Sequence, residues 1–373
     1  MRVLQVYDNL SPDTSEGRRV ITISNELARR GHQVSILTAA GRENDYTDVL
    51  RGDVEVITHK PLFNVRKFSF SPSIHGLISE GDYDLIHAHS YRHYGTFASA
   101  LHSALHKTPL VLSPYGTISY ASSESFTALY WLQDAFTMKL PLRQASRILA
   151  NTLYEKNQIV EYSGDPQRID IVYREVDTEL FKKVESTVLE PGTIIYVGRI
   201  TPLKGLELLI ESMAYIDPRH KLAIVGPIEN EAYQEALLRK VQALGLSERV
   251  EFFGKVEYSD IPRYLSSADA LVLPSLYENL GGVLLEAQAC ECPVIAVDVG
   301  GISESMIDGH TGFLIKNRSP ELVAMKIDEV LEDEALRRRM GSEGRKFVEH
   351  RFSLARYMAR IMRAYEEALS KPS

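Results

Sequence analysis

Cysteine, tryptophan and long apolar runs are all scarce in this sequence. Its 373 residues include two cysteines and one tryptophan. Cys290 and Cys292 are separated by one residue and have no ligand-like neighbours, so neither a disulfide between them nor a metal site is expected. No stretch approaches the roughly 18 to 20 uninterrupted apolar residues of a membrane-spanning helix, and the opening segment MRVLQVYDNL enters a strand without a leader-like region. We therefore expect a reduced, cytoplasmic setting.

A basic excess is also absent. The net charge of -8 at pH 7 argues against nucleic acid as a partner. The hydrophobic fraction of 44% and the charged fraction of 25% are those of an ordinary globular protein. Internal repeats and low-complexity tracts are not apparent. A chain of this length suits two domains with ample buried surface.

Residues 274–301 organise the rest of the chain. They read PSLYENLGGVLLEAQACECPVIAVDVGG. An apolar strand is predicted over residues 270–273 and a second over residues 293–297, and Gly281 and Gly282 open a helix between them. The unit therefore predicts a polar loop and a helix start at one edge of a parallel sheet.

The start of this helix is suited to an anion. Its first N–H groups have no partner within the helix and carry a partial positive charge, so Gly281, Gly282 and Val283 can donate hydrogen bonds to a phosphate. Glu278 and Glu286 would repel a phosphate and are better interpreted as acceptors for flanking hydroxyl groups. A ligand with hydroxyl groups on both sides of a diphosphate is a nucleotide sugar. The alternative is a strand-to-helix loop with two incidental glutamates.

The pattern of this stretch resembles a known signature. Two glutamates eight residues apart, enclosing a glycine-containing loop and followed by EAQACECPVIA and GGISE, are similar to the Glu-x7-Glu signature of retaining GT-B glycosyltransferases, the large family-4 group. The resemblance covers nearly the whole chain. It implies an α/β fold of two Rossmann-like domains facing across a cleft, and a hexosyltransferase-like enzyme. The implied reaction moves a sugar from a nucleoside-diphosphate sugar to a hydroxyl of a glycan, glycolipid or small-molecule acceptor.

The alternation of strands and helices places the domain boundaries. We predict an N-terminal acceptor domain over residues 1–174 and a C-terminal nucleotide-sugar domain over residues 175–354. Residues 173–192 are irregular and charged, as expected of a linker. By the resemblance, a final helix over about residues 355–373 crosses back to the first domain.

A second glycine loop precedes this central stretch. Residues 198–205, GRITPLKG, follow a predicted strand and precede a predicted helix, which again describes an anion site. Arg199 can hold phosphate oxygens through two hydrogen bonds, and Lys204 supplies a point charge. The stretch resembles the VGR…KG motif of the same family, which implies that Gly198, Arg199 and Lys204 bind the donor diphosphate. Exposed surface cations are the alternative.

The resemblance also implies the remaining donor contacts. Lys255 and Val256 would lie along the nucleotide base, Glu286 would hold the ribose hydroxyls, and Glu278 would face the sugar. The main chain beside Glu278 completes the donor-binding set: Asn279, Leu280, Gly281, Gly282 and Val283.

The chain departs from the family pattern at three places. Relatives usually carry paired glycines in the first loop, whereas here only Gly17 remains as a donor-side residue. Arg174 and Glu175 stand where Asn-Gly is common, a change that we interpret as affecting linker geometry more than chemistry. Glu291 stands where a glycine is usual, and we interpret it as a turn variation away from the ligand.

Two histidines and a tyrosine complete the catalytic candidates. His87 and His89 share one face of a predicted strand, a spacing that permits joint metal binding, but no third ligand is evident. We therefore expect no metal and take His89, nearer the strand end, as the residue that contacts substrate. Tyr115 stands where many relatives have a histidine, and a packed tyrosine is equally compatible with its position. The predicted catalytic residues are Arg199, Lys204, Glu278, His89 and Tyr115.

Two stretches of the N-terminal domain combine aromatic and basic residues, as do protein surfaces that lie on a bilayer or bind an anionic glycolipid. They predict peripheral contact with the inner face of the membrane, and aromatic core packing is the alternative. The residues are Lys60, Phe63, Arg66, Lys67, Phe68 and Phe70 in the first stretch, and Phe126, Tyr130, Trp131, Phe136, Met138, Lys139 and Arg143 in the second.

These residues predict a mechanism with no cofactor. Negative charge grows on the departing diphosphate, so Arg199, Lys204 and the amides of Gly281 and Gly282 should stabilise the transition state without a divalent metal. The departing phosphate oxygen would take the acceptor proton. Two alternatives stay open: a non-catalytic sugar-nucleotide-binding protein, and a GT-B epimerase or phosphorylase.

Overall fold

The computed structural model describes residues 1–39, 49–52, 54–65, 68–116, 139–163 and 165–370. Arg66, Lys67 and the aromatic residues between positions 126 and 138 lie outside these ranges. The chain forms two compact units. The first comprises Met1–Tyr173 with Tyr357–Ser373, and the second comprises Arg174–Arg356.

The first unit alternates strands and helices. Its strands are Arg2–Val6 (β1), Gln33–Ala39 (β2), Val54–His59 (β3), Phe63–Val65 (β4), Phe68–Phe70 (β5), Leu85–His89 (β6), Leu110–Ser113 (β7), Arg147–Ala150 (β8) and Ile169–Ile171 (β9). Its helices are Ser15–Arg29 (α1), Ile74–Glu80 (α2), Tyr94–His106 (α3), Lys139–Gln144 (α4) and Leu153–Ser163 (α5).

A parallel sheet of seven strands forms the centre of this unit within the described residues, in the order β3-β2-β1-β6-β7-β8-β9. The strands are short and rich in branched apolar residues because helices cover the sheet and bury its side chains. β4 and β5 form a separate antiparallel hairpin that the sequence analysis missed. In this hairpin Phe63 is 51% exposed and stacks on Phe70, whose ring packs edge-on against Tyr94.

Helix α1 begins earlier than the sequence pattern predicts. The first loop, in which we expected Gly17 to lie, ends at Thr14, because Thr14 caps the helix by accepting a hydrogen bond from the Gly17 N–H at 3.1 Å. Gly17 therefore lies in the first turn of α1. A Cβ atom at this position would lie 2.0 Å from the Ser11 carbonyl oxygen, so the close approach of the preceding loop requires glycine there.

The second unit repeats the strand and helix alternation. Its strands are Thr193–Val197 (β10), Lys221–Val225 (β11), Val250–Gly254 (β12), Ala270–Leu273 (β13), Val294–Val297 (β14) and Gly312–Ile315 (β15). Its helices are Leu206–Ser212 (α6), Glu231–Ala243 (α7), Ile261–Ser267 (α8), Gly282–Ala289 (α9), Pro320–Glu332 (α10) and Glu334–Arg351 (α11).

A parallel sheet of six strands forms the centre of the second unit within the described residues, in the order β12-β11-β10-β13-β14-β15. Its middle strands are buried on both faces, as in other parallel sheets. Cys290 and Cys292 are free and buried, and burial raises the pKa of the Cys290 thiol to about 12. Two doubly wound parallel sheets confirm the predicted Rossmann-like fold class.

The last helix is Leu354–Ser370 (α12), and its residues from Tyr357 onward belong to the first unit. Tyr357, Met358, Ile361 and Tyr365 recur on one face at helical spacing and are buried. None of the described helices combines the length and apolar character that a bilayer crossing needs.

Candidate active site

The strand order of the second unit reverses between β10 and β13. In open parallel sheets, the loops that leave the carboxyl ends of the two strands at such a point diverge and form a ligand site. The loop of residues 198–205 follows β10, and the loop of residues 274–281 follows β13. The Leu276 N–H donates to the Leu203 carbonyl at 2.8 Å, so the two predicted motifs lie against each other.

Lys204 and Glu278 form the first charged pair of this site. Lys204 ends a one-turn 3-10 helix, and its ammonium group donates to Glu278 Oε1. Ser275 Oγ donates to the same oxygen at 2.9 Å. The two side chains are 17% and 13% exposed, so the pair is partly shielded yet reachable from solvent. The structure thus brings together two residues predicted from separate motifs.

Arg318, which the sequence analysis did not single out, fixes the loop that carries this pair. Its guanidinium donates to the Pro274 and Ser275 carbonyls at 2.6 and 2.8 Å. It also lies where a side chain on Gly205 would extend, 2.5 Å from the position of a Cβ atom there. Gly205 has a φ of 58°, which favours glycine, so this position is fixed both by main-chain conformation and by space.

The N-terminus of α9 forms the second part of the site. Gly281 caps the helix in the left-handed conformation, with a φ of 69°, and the Leu284 N–H donates to its carbonyl at 2.9 Å. Gly282 is the first helical residue. The first N–H groups of any helix lack acceptors inside it, which leaves the amides of Gly282 and Val283 suited to an anion. Anion binding at these amides stays a prediction.

Glu286 lies one turn into α9 and is 7% exposed. Its Oε1 accepts hydrogen bonds from Arg174 Nη2 at 3.2 Å and from the Tyr258 hydroxyl at 3.0 Å. Sequence reasoning missed both partners. The unusual arginine at position 174 was the available signal, but we related it to linker geometry, whereas the structure shows that its side chain reaches the predicted ribose-binding glutamate.

Arg199 lies at the same sheet edge but has a different partner. It follows Gly198 directly after β10, and its guanidinium donates to Glu229 Oε2 at 2.9 Å. Its side chain is 55% exposed. In the part of the chain that the structure describes, no hydrogen bond joins it to Lys204 or Glu278.

Lys255 and Val256 follow β12, which is separated from β10 by β11. Lys255 is exposed and Val256 is partly buried. They lie just after the carboxyl end of their strand, and contact with a nucleotide base stays a prediction. Glu291 has a φ of 58°, a conformation that favours glycine, and it is exposed in the turn after α9.

In the first unit, the strand order reverses between β1 and β6, and the predicted histidine lies there fully buried. His89 Nε2 lies 2.6 Å from Gln5 Oε1, and His89 Nδ1 lies 2.7 Å from the Tyr115 hydroxyl. Because an amide oxygen can only accept, Nε2 carries the proton and Nδ1 accepts from Tyr115. Burial, with neighbouring positive charge, holds the pKa of His89 well below its usual value. Tyr115 has a φ of 59° and is 8% exposed.

A chain of hydrogen bonds connects Gln5 to His87. Gln5 Nε2 donates to the Tyr365 hydroxyl at 3.1 Å, and that hydroxyl lies 2.8 Å from His87 Nδ1. His87 Nε2 lies 2.8 Å from Ser113 Oγ. Burial lowers the pKa of His87 to about 3, so the ring is neutral. We call these six side chains the buried histidine network: Ser113, His87, Tyr365, Gln5, His89 and Tyr115.

This network uses all four ring nitrogens of the two histidines internally. Among the described residues, no group of three or more histidine, cysteine, aspartate or glutamate side chains has the arrangement of a metal site. The structure therefore brings Lys204, Glu278, the start of α9 and Glu286 to one sheet edge, whereas it encloses His89 within the other unit.

Two family models match the chain. The model described as "Glycosyl transferases group 1" matches residues 177–347. The model described as "Glycosyltransferase Family 4" matches residues 17–180. Together they span both units.

Relatives and solved structures agree with these matches. A D-inositol 3-phosphate glycosyltransferase of Corynebacterium glutamicum is 27% identical over 99% of this chain and 97% of its own length. The protein of the same name from Streptomyces bingchenggensis is 32% identical over 60% of this chain, a match that spans about half, 53%, of its own length. The crystal structure of Anabaena HepE in complex with UDP and glucose superposes with a TM-score of 0.80, at 22% identity, covering 98% of this chain and 99% of that one.

Proposed function

The chain belongs to the GT-B glycosyltransferases of the family-4 type, and we propose that it transfers a sugar from a nucleoside-diphosphate sugar to an acceptor hydroxyl, with retention of configuration and without a metal. The observation that carries this proposal is the cluster at the edge of the second sheet. There the start of α9, whose first amides lack acceptors within the helix, lies between two glutamates that are each paired with a cation. UDP is the first nucleotide to test because the Anabaena structure contains it.

The charged pairs explain how the site would handle a donor. Lys204 is paired with Glu278. A donor diphosphate would attract the ammonium group, and the sugar hydroxyls would donate to the released carboxylate. Because both groups keep a partner before and after binding, neither is left as an uncompensated partly buried charge.

The reaction balances without an additional base. The bond between the anomeric carbon and the diphosphate oxygen breaks, and a bond to the acceptor oxygen forms on the same face of the sugar. The proton of the acceptor hydroxyl passes to the departing phosphate oxygen. Lys204 and the helix amides stabilise the charge that grows on the diphosphate, which is the reason for expecting no metal requirement.

The acceptor is a hydroxyl of a glycan, a lipid-linked sugar or a small molecule. Relatives named for D-inositol 3-phosphate make a phosphorylated polyol the first acceptor to test. Peripheral contact of the N-terminal domain with a membrane remains a further proposal, which the Phe63 side chain supports because it is half exposed on its hairpin.

The first experiment is thermal unfolding in EDTA with UDP, GDP or ADP and their sugar conjugates. A ligand that binds only the folded protein raises its unfolding temperature by mass action. We expect a rise with one nucleotide family, lost in Glu286→Ala and kept in Glu235→Ala, which removes an exposed glutamate of the same unit. No rise with any nucleotide would contradict the donor site.

Product analysis then tests the chemistry. Incubation of the selected donor with candidate acceptors, followed by NMR of the new linkage, should show the anomeric configuration of the donor. The inverted configuration would exclude the retaining reaction. Binding of the donor with neither sugar transfer nor slow hydrolysis of the donor would instead identify a sugar-nucleotide-binding protein.

A further inference from the structure

Arg174 is a charged residue beside the start of α9 that the proposed mechanism does not use. Its guanidinium is 14% exposed and lies against the first residue of α9. A Cβ atom on Gly282 would lie 1.8 Å from Nη1 and 2.7 Å from Cζ. The absence of a side chain at Gly282 therefore leaves the space that the guanidinium occupies. The main chain of Gly282 is helical, so its conformation does not require glycine.

The guanidinium has one favourable and one unfavourable electrostatic neighbour in the protein. The N-terminus of a helix carries a partial positive charge, so a guanidinium beside it is repelled. Glu286 offsets part of this repulsion through its contact with Nη2 at 3.2 Å, but it shares the accepting oxygen with Tyr258. An anion held between the guanidinium and the α9 amides would be attracted by both.

The hydrogen bonding of Arg174 also favours an additional anionic partner. Nε is buried and has no hydrogen-bond partner in the described part of the chain. A buried donor without an acceptor costs free energy, which lowers the cost of rotating this side chain toward a new acceptor. Phosphate oxygens are the acceptors that match a guanidinium through two parallel hydrogen bonds.

From these observations we propose that Arg174 is a phosphate-binding residue of the donor site, a third cation beside Lys204 and Arg199. The proposal rests on the proposed function, because it assigns Arg174 to the same nucleoside-diphosphate ligand. Glu286 holds the guanidinium beside α9 until the donor arrives. Oε2 of Glu286 accepts no hydrogen bond from the residues described and stays available to a ribose hydroxyl.

The test measures the affinity of uridine, UMP and UDP by calorimetry. The proteins are the wild type, Arg174→Ala and the control Arg219→Ala, which removes an exposed arginine of the same unit. If the thermal screen selects GDP or ADP, the corresponding nucleoside series is used. A charge-assisted contact to phosphate predicts that Arg174→Ala weakens UDP binding by about 10- to 100-fold, while uridine binding changes little.

Gly282→Ala provides a second variant that keeps Arg174 but displaces it. The new methyl group would occupy the position of the guanidinium, which is the flexible end of a side chain and moves at little cost. We expect this variant to lose UDP affinity to a similar extent as Arg174→Ala. In the double variant the two losses should not add, because both remove one contact.

Each other outcome overturns the proposal. Equal losses for uridine and UDP would show that Arg174 only positions Glu286. A gain in UDP affinity would show that the guanidinium competes with the phosphate. An unchanged UDP affinity in Arg174→Ala, with normal wild-type binding, would reject Arg174 alone, whereas a wild type that binds no nucleotide would reject the donor site as well.

Discussion

The polar clusters at the switch points of the two sheets differ in charge and in access to solvent. In the second unit, the Lys204–Glu278 and Arg174–Glu286 pairs are ionic, and their side chains are between 10% and 17% exposed. In the first unit, His87 and His89 are completely buried and uncharged. The same strand topology therefore supports two kinds of polar cluster.

This difference indicates which cluster can exchange partners. A partly buried ion pair can exchange partners when the ligand supplies a new partner for each charge, because neither charge is then left uncompensated. A buried neutral network loses several hydrogen bonds if one member turns away, and each buried group left unsatisfied costs about 1 to 3 kcal/mol. The charged pairs are suited to binding, and the buried histidine network is suited to holding α12 against β1 and β6.

The largest effect is expected at Lys204. Removing a group that stabilises transition-state charge costs about 2 to 4 kcal/mol, so Lys204→Ala should lower kcat/KM by about 30- to 1000-fold. The measurement is initial-rate kinetics with the donor chosen by the thermal screen. Lys182→Ala, which removes an exposed lysine of the same unit, is the matched control. Turnover of Lys204→Ala within a few fold of the wild type would exclude its role.

The next effect concerns stability rather than activity. Tyr365→Phe removes the hydroxyl shared by His87 and Gln5, so it should lower the free energy of unfolding of the first unit by about 1 to 3 kcal/mol. Hydrogen exchange of the β6 amides measures this unit separately. Tyr215→Phe, at an exposed tyrosine, is the control. If Tyr365→Phe instead lost donor affinity while hydrogen exchange of the β6 amides stayed unchanged, the buried histidine network would serve binding and not stability.

A smaller effect is expected on acidification. The pKa of His87 is about 3 in the folded protein and about 6.5 in an unfolded chain. Protons therefore bind the unfolded chain preferentially below pH 6.5, and the stability present above that pH is lost progressively toward pH 3. At pH 5.5 the loss from this residue is about 1.4 kcal/mol. Hydrogen exchange of the β6 amides, measured at pH 7.5 and 5.5, should show that His87→Gln loses less stability between these pH values than the wild type does. An equal loss of stability in both proteins would contradict the low pKa of His87.

The smallest expected effect is that of metal removal. Lys204 and the α9 amides are proposed to take the place of a divalent ion, so EDTA should leave the transfer rate unchanged. The comparison is the rate with EDTA alone and with added Mg²⁺ or Mn²⁺. Activity that disappears in EDTA and returns with either metal would show that a metal ligand set had been overlooked.

Some elements of the fold could be read from the sequence almost to the residue. The boundaries of β13 match the strand predicted over residues 270–273, an apolar run that ends at a proline, and β14 begins one residue later than predicted. The start of α1 was misplaced because Thr14 caps it through a side-chain contact. The hairpin of β4 and β5 was missed because its alternation is short and basic residues interrupt it.

The same division applies to the site. Lys204, Glu278 and Glu286 were predicted because they recur in loops whose glycines and spacing have a recognisable pattern. Arg174, Tyr258 and Arg318 were missed because each reaches its partner across the unit. Arg174 and Glu286 are 112 residues apart in the chain, and no local pattern relates them.

The sequence by itself determined the two parallel sheets and the chemical groups of the donor site, because periodicity, glycines and helix starts act over a few residues. Only the tertiary structure decided which groups pair. Lys204 meets Glu278, 74 residues away, because β10 and β13 are neighbours at the switch point. Likewise, His89 is enclosed because Gln5 and Tyr115 are brought to its ring nitrogens by other strands. Such pairings depend on the closure of loops at a sheet edge, which local sequence patterns do not contain.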